Sequence, residues 1–210
     1  MSVYYSKYGN TIKALDNCST RDLRSGEWLF LKGPNGAGKS TLFKAITRTV
    51  NISSGSIELN GKNIHKLSNR ELFQKIFLIS QNPDTSTVGE LTVEENLVFS
   101  SPRLSHTSIK NAIEYSQLSN HRHHLAKNLS GGQRQLLALQ IARLRKTKLL
   151  LLDEPFAALD PANEKKGLEL VEQLNMDGVT IFFITHDDDL IAKKQHSGSE
   201  LFTILNGKII

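Results

Sequence analysis

Short apolar runs and amphipathic stretches take turns along this chain, which predicts a sheet with helices packed against it. Glu27–Leu31 is an apolar run entering a glycine-rich loop, and Lys39–Thr49 has the pattern of the helix that follows. Ser56–Leu59 and the residues after Asn60-Gly61 predict a hairpin, because Asn-Gly suits a type I′ turn. Ser68-x-x-Glu71 is a capping box opening a short helix, and Ile76–Ser80 is the strand after it. A second box, Thr92-x-x-Glu95, opens another helix. From there to Asn128 the chain is polar, helical in pattern and poor in β-branched runs. This sets off a small helical unit at 84–146, between two parts of a core at 1–83 and 147–210. Strand and helix then alternate through Leu149–Asp153, Glu164–Leu174, Val179–Thr185, Leu190–Lys194 and Leu201–Leu205, and Asn206-Gly207 closes a last hairpin. With no repeats, low-complexity tracts or linkers, the reading is one α/β domain over 1–210.

Composition narrows the class. A length of 210 residues suits a single core, and 39% apolar with 22% charged residues describes a soluble globular protein. No apolar run approaches the roughly 20 residues that span a bilayer, and the first residues, MSVYYSKYGN, do not read as a signal peptide. The single cysteine, Cys18, allows no internal disulfide, fits a reducing compartment and is read as a small apolar residue. A formal charge of +5 raises the question of an anionic partner, but lysines and arginines are scattered. Their densest stretch, Arg143–Lys148, ends a helix, where cations complement the dipole. Nucleic acid is therefore not expected, whereas a modest basic bias suits docking at an anionic leaflet.

The glycine loop carries the first chemistry. Gly33-Pro34-Asn35-Gly36-Ala37-Gly38-Lys39-Ser40-Thr41 is a G-x-x-x-x-G-K-[ST] loop between a strand and a helix. Its glycines let backbone N–H groups wrap phosphate oxygens, the helix adds its positive end, Lys39 brings a formal charge to the β- and γ-phosphates, and the Ser40 hydroxyl can ligate Mg²⁺. Leu149–Leu152 is a fully apolar strand with Asp153 and Glu154 at its end. After a phosphate loop, an acid in the place of Asp153 can hold Mg²⁺, usually through water.

Leu129-Ser130-Gly131-Gly132-Gln133 is rarer. Locally it is another capping box, and a helix start with two glycines exposes donors to an anion. Together with the phosphate loop it resembles one family, the ATP-binding cassette (ABC) ATPases, over nearly the whole chain from Tyr8 to Ile210. The resemblance implies a P-loop NTPase core with an N-terminal antiparallel β-subdomain and an inserted α-helical subdomain. It implies ATP and Mg²⁺ as cofactors. It also implies a nucleotide site completed by Ser130, Gly131, Gly132 and Gln133 of a second subunit. By the same resemblance Glu154 is the general base, Gln81 binds Mg²⁺ or the attacking water, and His186 contacts the γ-phosphate and steadies Glu154. Ala158-Leu159-Asp160 would lie at the subunit boundary, and Tyr8 would stack on adenine, with Tyr4 and Tyr5 as alternatives. Leu136 and Thr147 replace common Arg and Pro positions without touching the positions that contact ATP. His121-Arg-His123-His124 invites a metal claim, but its spacing is not that of His pairs sharing a helix face, and no cysteine or carboxylate accompanies it.

The expected function is an ATP-hydrolysing subunit at the cytoplasmic face of a membrane, peripheral, energising transport. Its partners would be a second copy of itself or a homologous cassette, integral membrane permease subunits docked near Gln81 and the helical subdomain, and, as an optional further partner, a substrate-binding protein. The alternative is a non-transport ABC ATPase acting as a clamp in nucleic-acid maintenance or translation. An unrelated phosphate-loop kinase or GTPase is a third class, disfavoured by LSGGQ and by the lack of an Asn-Lys-x-Asp segment.

Overall fold

The computed structural model describes residues 1–7, 10–101, 104–157, 159–195 and 198–210. Its main sheet has six strands in the order β10-β9-β3-β8-β7-β6. These are β3 (Trp28–Lys32), β6 (Ile76–Ser80), β7 (Leu149–Asp153), β8 (Thr180–Ile184), β9 (Glu200–Leu205) and β10 (Lys208–Ile209). The inner pairs are parallel and only β10 runs antiparallel, at the edge. Strands covered on both faces need apolar residues at every position, which is why β3 and β7 read as continuous runs. Alternation then sorts their side chains. Leu29, Leu31, Leu151, Phe182 and Ile184 share one core with Leu42, Phe43 and Ile46 of α1 (Lys39–Ile46). Trp28, Phe30, Leu150, Leu152, Ile181 and Phe183 face the other way, against α5 (Gly131–Leu144) and α6 (Pro161–Met176).

Two small antiparallel pairs lie outside the main sheet: β1 (Val3–Lys7) with β2 (Asn10–Leu15), and β4 (Glu58–Leu59) with β5 (Lys62–Asn63). Asn60 (φ 53) and Gly61 (φ 69) turn the second of these as the Asn-Gly pair predicts. The capping boxes at Ser68 and Thr92 open α2 (Asn69–Lys75) and α3 (Val93–Ser100). With α4 (His106–Tyr115), α3 encloses a third apolar cluster around Val93, Leu97, Ile109, Ile113, Leu137 and Ile141. Helix α5 belongs to both sides: Leu136 and Leu139 enter the sheet core while Leu137 and Ile141 enter the helical cluster. Cys18 is buried and donates its thiol to the Gly207 carbonyl at 2.8 Å, and burial pushes the thiol up from its ordinary value.

Several strands shift by one or two residues from their patterns, and three helices have other bounds than predicted. Helix α1 stops at Ile46 rather than Thr49 because the Thr47 hydroxyl turns back to the Phe43 carbonyl and Arg48 adopts a left-handed φ of 57. Arg48 then donates to the Ile64 and Leu67 carbonyls. Helix α6 starts at Pro161, earlier than Glu164, because Asp160 caps it and proline suits the first helical position. Last, α7 (Asp188–Gln195) begins where Asp187 accepts from the Leu190 N–H.

Candidate active site

Register places the site. Ser80 pairs with Asp153, Asp153 with Ile184, and Ile184 with Leu31, so four parallel strands end in one row. The segments leaving that row are Gln81, Glu154, Thr185-His186 and the Gly33–Thr41 loop, at the carboxyl edge where open α/β sheets bind ligands.

The loop is built to leave donors free. Gly38 caps α1 with a left-handed φ of 106 and no side-chain hydrogen bond, and the first turn carries no acid. A methyl group on Gly38 would stand 2.5 Å from the Ala14 carbonyl oxygen, so glycine is required there by conformation and by space. By contrast α2, α3 and α5 each have the N–H of the cap residue and of the third helical residue satisfied by a capping box. Lys39 is buried, and its ammonium donates to the Gly33 carbonyl at 2.6 Å and the Pro34 carbonyl at 3.2 Å. A cation held over uncapped helix amides makes a concentrated positive site.

Acidic groups lie opposite. Burial pushes the Asp153 carboxyl above its ordinary value, the neighbouring Glu154 adds to the rise, and the Ser40 hydroxyl, hydrogen-bonded to it, opposes it. Glu154 sits at a left-handed φ of 49, rare for a residue with a side chain, and its N–H donates to the Ile184 carbonyl at 3.0 Å. That turn aims its carboxylate at His186, whose Nε2 is 3.1 Å from Oε1. Gln81 is exposed, directly after Ser80, whose carbonyl accepts from the Gln135 amide of α5 at 2.8 Å. A hydroxyl beside a partly desolvated carboxylate is a donor set suited to a hard divalent cation, which would offset the cost of burying that charge.

The Ser130–Gln133 segment is ordered by its own box: Gln133 N–H donates to Ser130 Oγ, and Ser130 N–H to Gln133 Oε1 at 3.0 Å. No hydrogen bond or ion pair among the described residues joins it to Gly33–Thr41, Asp153, Glu154 or His186. A methyl group on Gly132 would meet the Asn163 side chain at 3.0 Å, whereas one on Gly131 would meet nothing within 4 Å. Asn163 in turn donates to the Asp160 carboxylate that caps α6. Tyr8 and Ala158 lie outside the described residues; Tyr4 and Tyr5 are both exposed on β1.

Sequence reasoning missed two side chains. His121 is hydrogen-bonded to Gln133, Nε2 to Nε2 at 3.0 Å, across twelve residues with no local signal beyond the histidine cluster. Arg145 does not reach for solvent at its helix end. Its guanidinium lies 3.6 Å from the Phe73 ring centroid and 4.5 Å from that of Phe77, its nitrogens have no hydrogen-bond partner among the described residues, and burial pulls it down to about 10. Phe73, half exposed, and Phe77 also line a groove of about 550 Å³ that reaches Asp153 and Ser80.

A profile of the ABC transporter family matches residues 16–157. The chain is 38% identical over 178 residues to a putative ABC transporter ATP-binding protein of Methanosarcina mazei, an alignment covering 82% of this chain and 30% of that protein. It thus spans about a third of that relative's length. It is 30% identical over 213 residues to the cell division ATP-binding protein FtsE of Streptococcus pneumoniae, covering 97% of this chain and 90% of that one. Among solved structures, an ATP-binding cassette dimer in a post-hydrolysis state with ADP and Pi superposes with a TM-score of 0.82. The identity there is 25%, over 99% of this chain and 93% of that one.

Proposed function

The chain belongs to the ABC transporter family of ATP-binding cassettes, and on that footing we propose that it hydrolyses ATP to energise transport through separate membrane-spanning subunits. Two cassettes close around two ATP molecules, each Ser130–Gln133 segment capping the phosphates held by the other's loop. The observation that carries this reading is Gly131. It stands at the first position of α5 without a positive φ, and among the described residues nothing lies within 4 Å of where its Cβ would be, so neither backbone conformation nor packing asks for glycine there. A second copy bringing a phosphate against that helix start does need it. The Ser130 hydroxyl fits the same role, since it accepts from Gln133 N–H and keeps its own proton to donate.

Within each half-site, Gly33, Pro34, Asn35, Gly36, Ala37, Gly38, Ser40 and Thr41 wrap the phosphates and Lys39 neutralises their charge. Ser40, Asp153 and Gln81 would hold Mg²⁺, which supplies charge stabilisation to the transferring phosphoryl group. Glu154 accepts a proton from the attacking water, and His186 orients that carboxylate. Asp160 reaches the boundary between copies, and Tyr8 takes the adenine ring. We assign 84–146 as the helical subdomain that reports closure, because Gln135 on α5 is bonded at the strand end next to Gln81.

The membrane subunits dock in the groove that ends at Ser80, next to Gln81, where half-exposed Phe73 and the Lys44 and Arg48 side chains of its lining suit a helix carrying both apolar and acidic side chains. The test is ATP-driven transport in vesicles holding the cassette and its membrane subunits: Lys39→Ala should abolish it, and Phe73→Ala should cut co-purification of the membrane subunits while leaving ATP binding intact. The near full-length match to FtsE favours a second reading, in which the same closure drives a cell-division complex without moving a solute. Vigorous ATP turnover with the membrane subunits but no solute movement selects that reading.

A further inference from the structure

Gln133 is held from two sides. Its Oε1 accepts from Ser130 N–H, which fixes the amide so that Nε2 is the group facing His121. An amide nitrogen only donates, so the His121 Nε2 opposite it must be a bare lone pair. A neutral imidazole then carries its proton on Nδ1, and that nitrogen lies 3.1 Å from the Nδ1 of His124, the rings meeting edge to face. His124 accepts there and keeps its own proton on Nε2. Each link of the run from Ser130 N–H through Gln133 and His121 to His124 thereby pairs one donor with one acceptor. Around it, Arg122 and His123 both face the Glu94 carboxylate of α3, and Arg134 pairs with Asp84; among the described residues no carboxylate is bonded to either histidine of the run.

We propose that His121, as the neutral Nδ1–H tautomer, is a positioning residue for the Ser130–Gln133 segment: it holds the Gln133 side chain in the capping box and so presets the helix start that meets the other copy's phosphates. This rests on the paired-site reading above. Without His121, Gln133 can leave the box, and the segment must be ordered at the moment of closure.

The first test is spectroscopic. In the full chain with ¹⁵N-labelled histidine at mildly alkaline pH, long-range ¹H–¹⁵N correlations report the tautomer of each ring. His121 is expected as Nδ1–H and His124 as Nε2–H, and His121 as Nε2–H would overturn the assignment. The second measures closure in a Glu154→Gln background, where ATP should hold the dimer. Losing one hydrogen bond at each of two segments should weaken the ATP-held dimer of His121→Ala by about 10- to 100-fold, with ATP affinity of the single chain unchanged. His121→Gln, which can still offer an acceptor, should recover part of the loss. Equal dimer affinity in parent and His121→Ala removes the role of His121 alone. A parent that binds ATP but stays monomeric removes the paired-site reading itself and this proposal with it.

Discussion

Residue by residue, the site sets stability against chemistry. Asp153 is half-buried beside Glu154 with its carboxyl above the ordinary value, so the folded chain holds that proton more tightly than the unfolded one. For an acid raised on folding, stability is lost as pH climbs through the interval between the unfolded and folded values, and the penalty is fully present above it. Asp153→Asn should therefore melt higher than the parent at neutral pH without nucleotide, by about 2–4 °C per kcal/mol recovered. The gap should close below the ordinary carboxyl value of 3.8. The same variant should lose Mg²⁺-dependent turnover. Melting curves across pH check the first half, and equal or lower melting of Asp153→Asn at neutral pH would contradict it. Lys39 was legible from its motif alone, but its bonds to the Gly33 and Pro34 carbonyls were not, since they depend on how the loop closes. Lys39→Ala should raise the ATP dissociation constant by tenfold or more, a loss of about 1.4 kcal/mol or more, read by nucleotide titration.

At the scale of elements, three helices begin with the same box, and they can be used against one another. Thr92→Ala and Ser130→Ala each remove an N-cap hydrogen bond and should each lower stability by about 0.5–2 kcal/mol. Only Ser130→Ala should also weaken ATP-driven association, because the start of α3 faces no phosphate in the proposed dimer. Sedimentation of both variants with ATP separates a cap from a cap that also binds. The boxes, the parallel strands and the Asn-Gly turns were readable because their rules are local: period 2, an apolar run, a side chain three residues from its partner. What was not readable depended on tertiary partners. Helix α1 ends early because Arg48 turns out toward carbonyls sixteen and nineteen residues away. Arg145 reads as a dipole cap until Phe73 and Phe77 are folded around it. His121 meets Gln133 only because the connection into α5 doubles back. Asp160 had a role by resemblance, which hid its plainer one as the cap of α6 and led the helix to be started three residues late.

For the whole molecule, the proposed machine has the sheet supply half of each site. One row of strand ends gathers the Gly33–Thr41 loop, the acids and His186, while the Ser130–Gln133 helix start is ordered by its own box; among the described residues its first glycine meets nothing within 4 Å and no hydrogen bond joins it to that row. Helix α5 joins the two regions mechanically, packing in both apolar cores and gripping the strand end before Gln81, so a displacement of the helical cluster is felt beside Asp153. No described helix is long and apolar enough to cross a membrane, and in the proposed machine that passage belongs to the subunits seated in the Phe73 groove. The most direct measurement is the mass in solution of Glu154→Gln with saturating MgATP, by light scattering. The account predicts a particle of twice the 23.4 kDa chain, returning to one chain when Ser130→Arg is added although ATP remains bound. A Glu154→Gln chain that binds ATP and stays a monomer, or a dimer indifferent to Ser130→Arg, would contradict it.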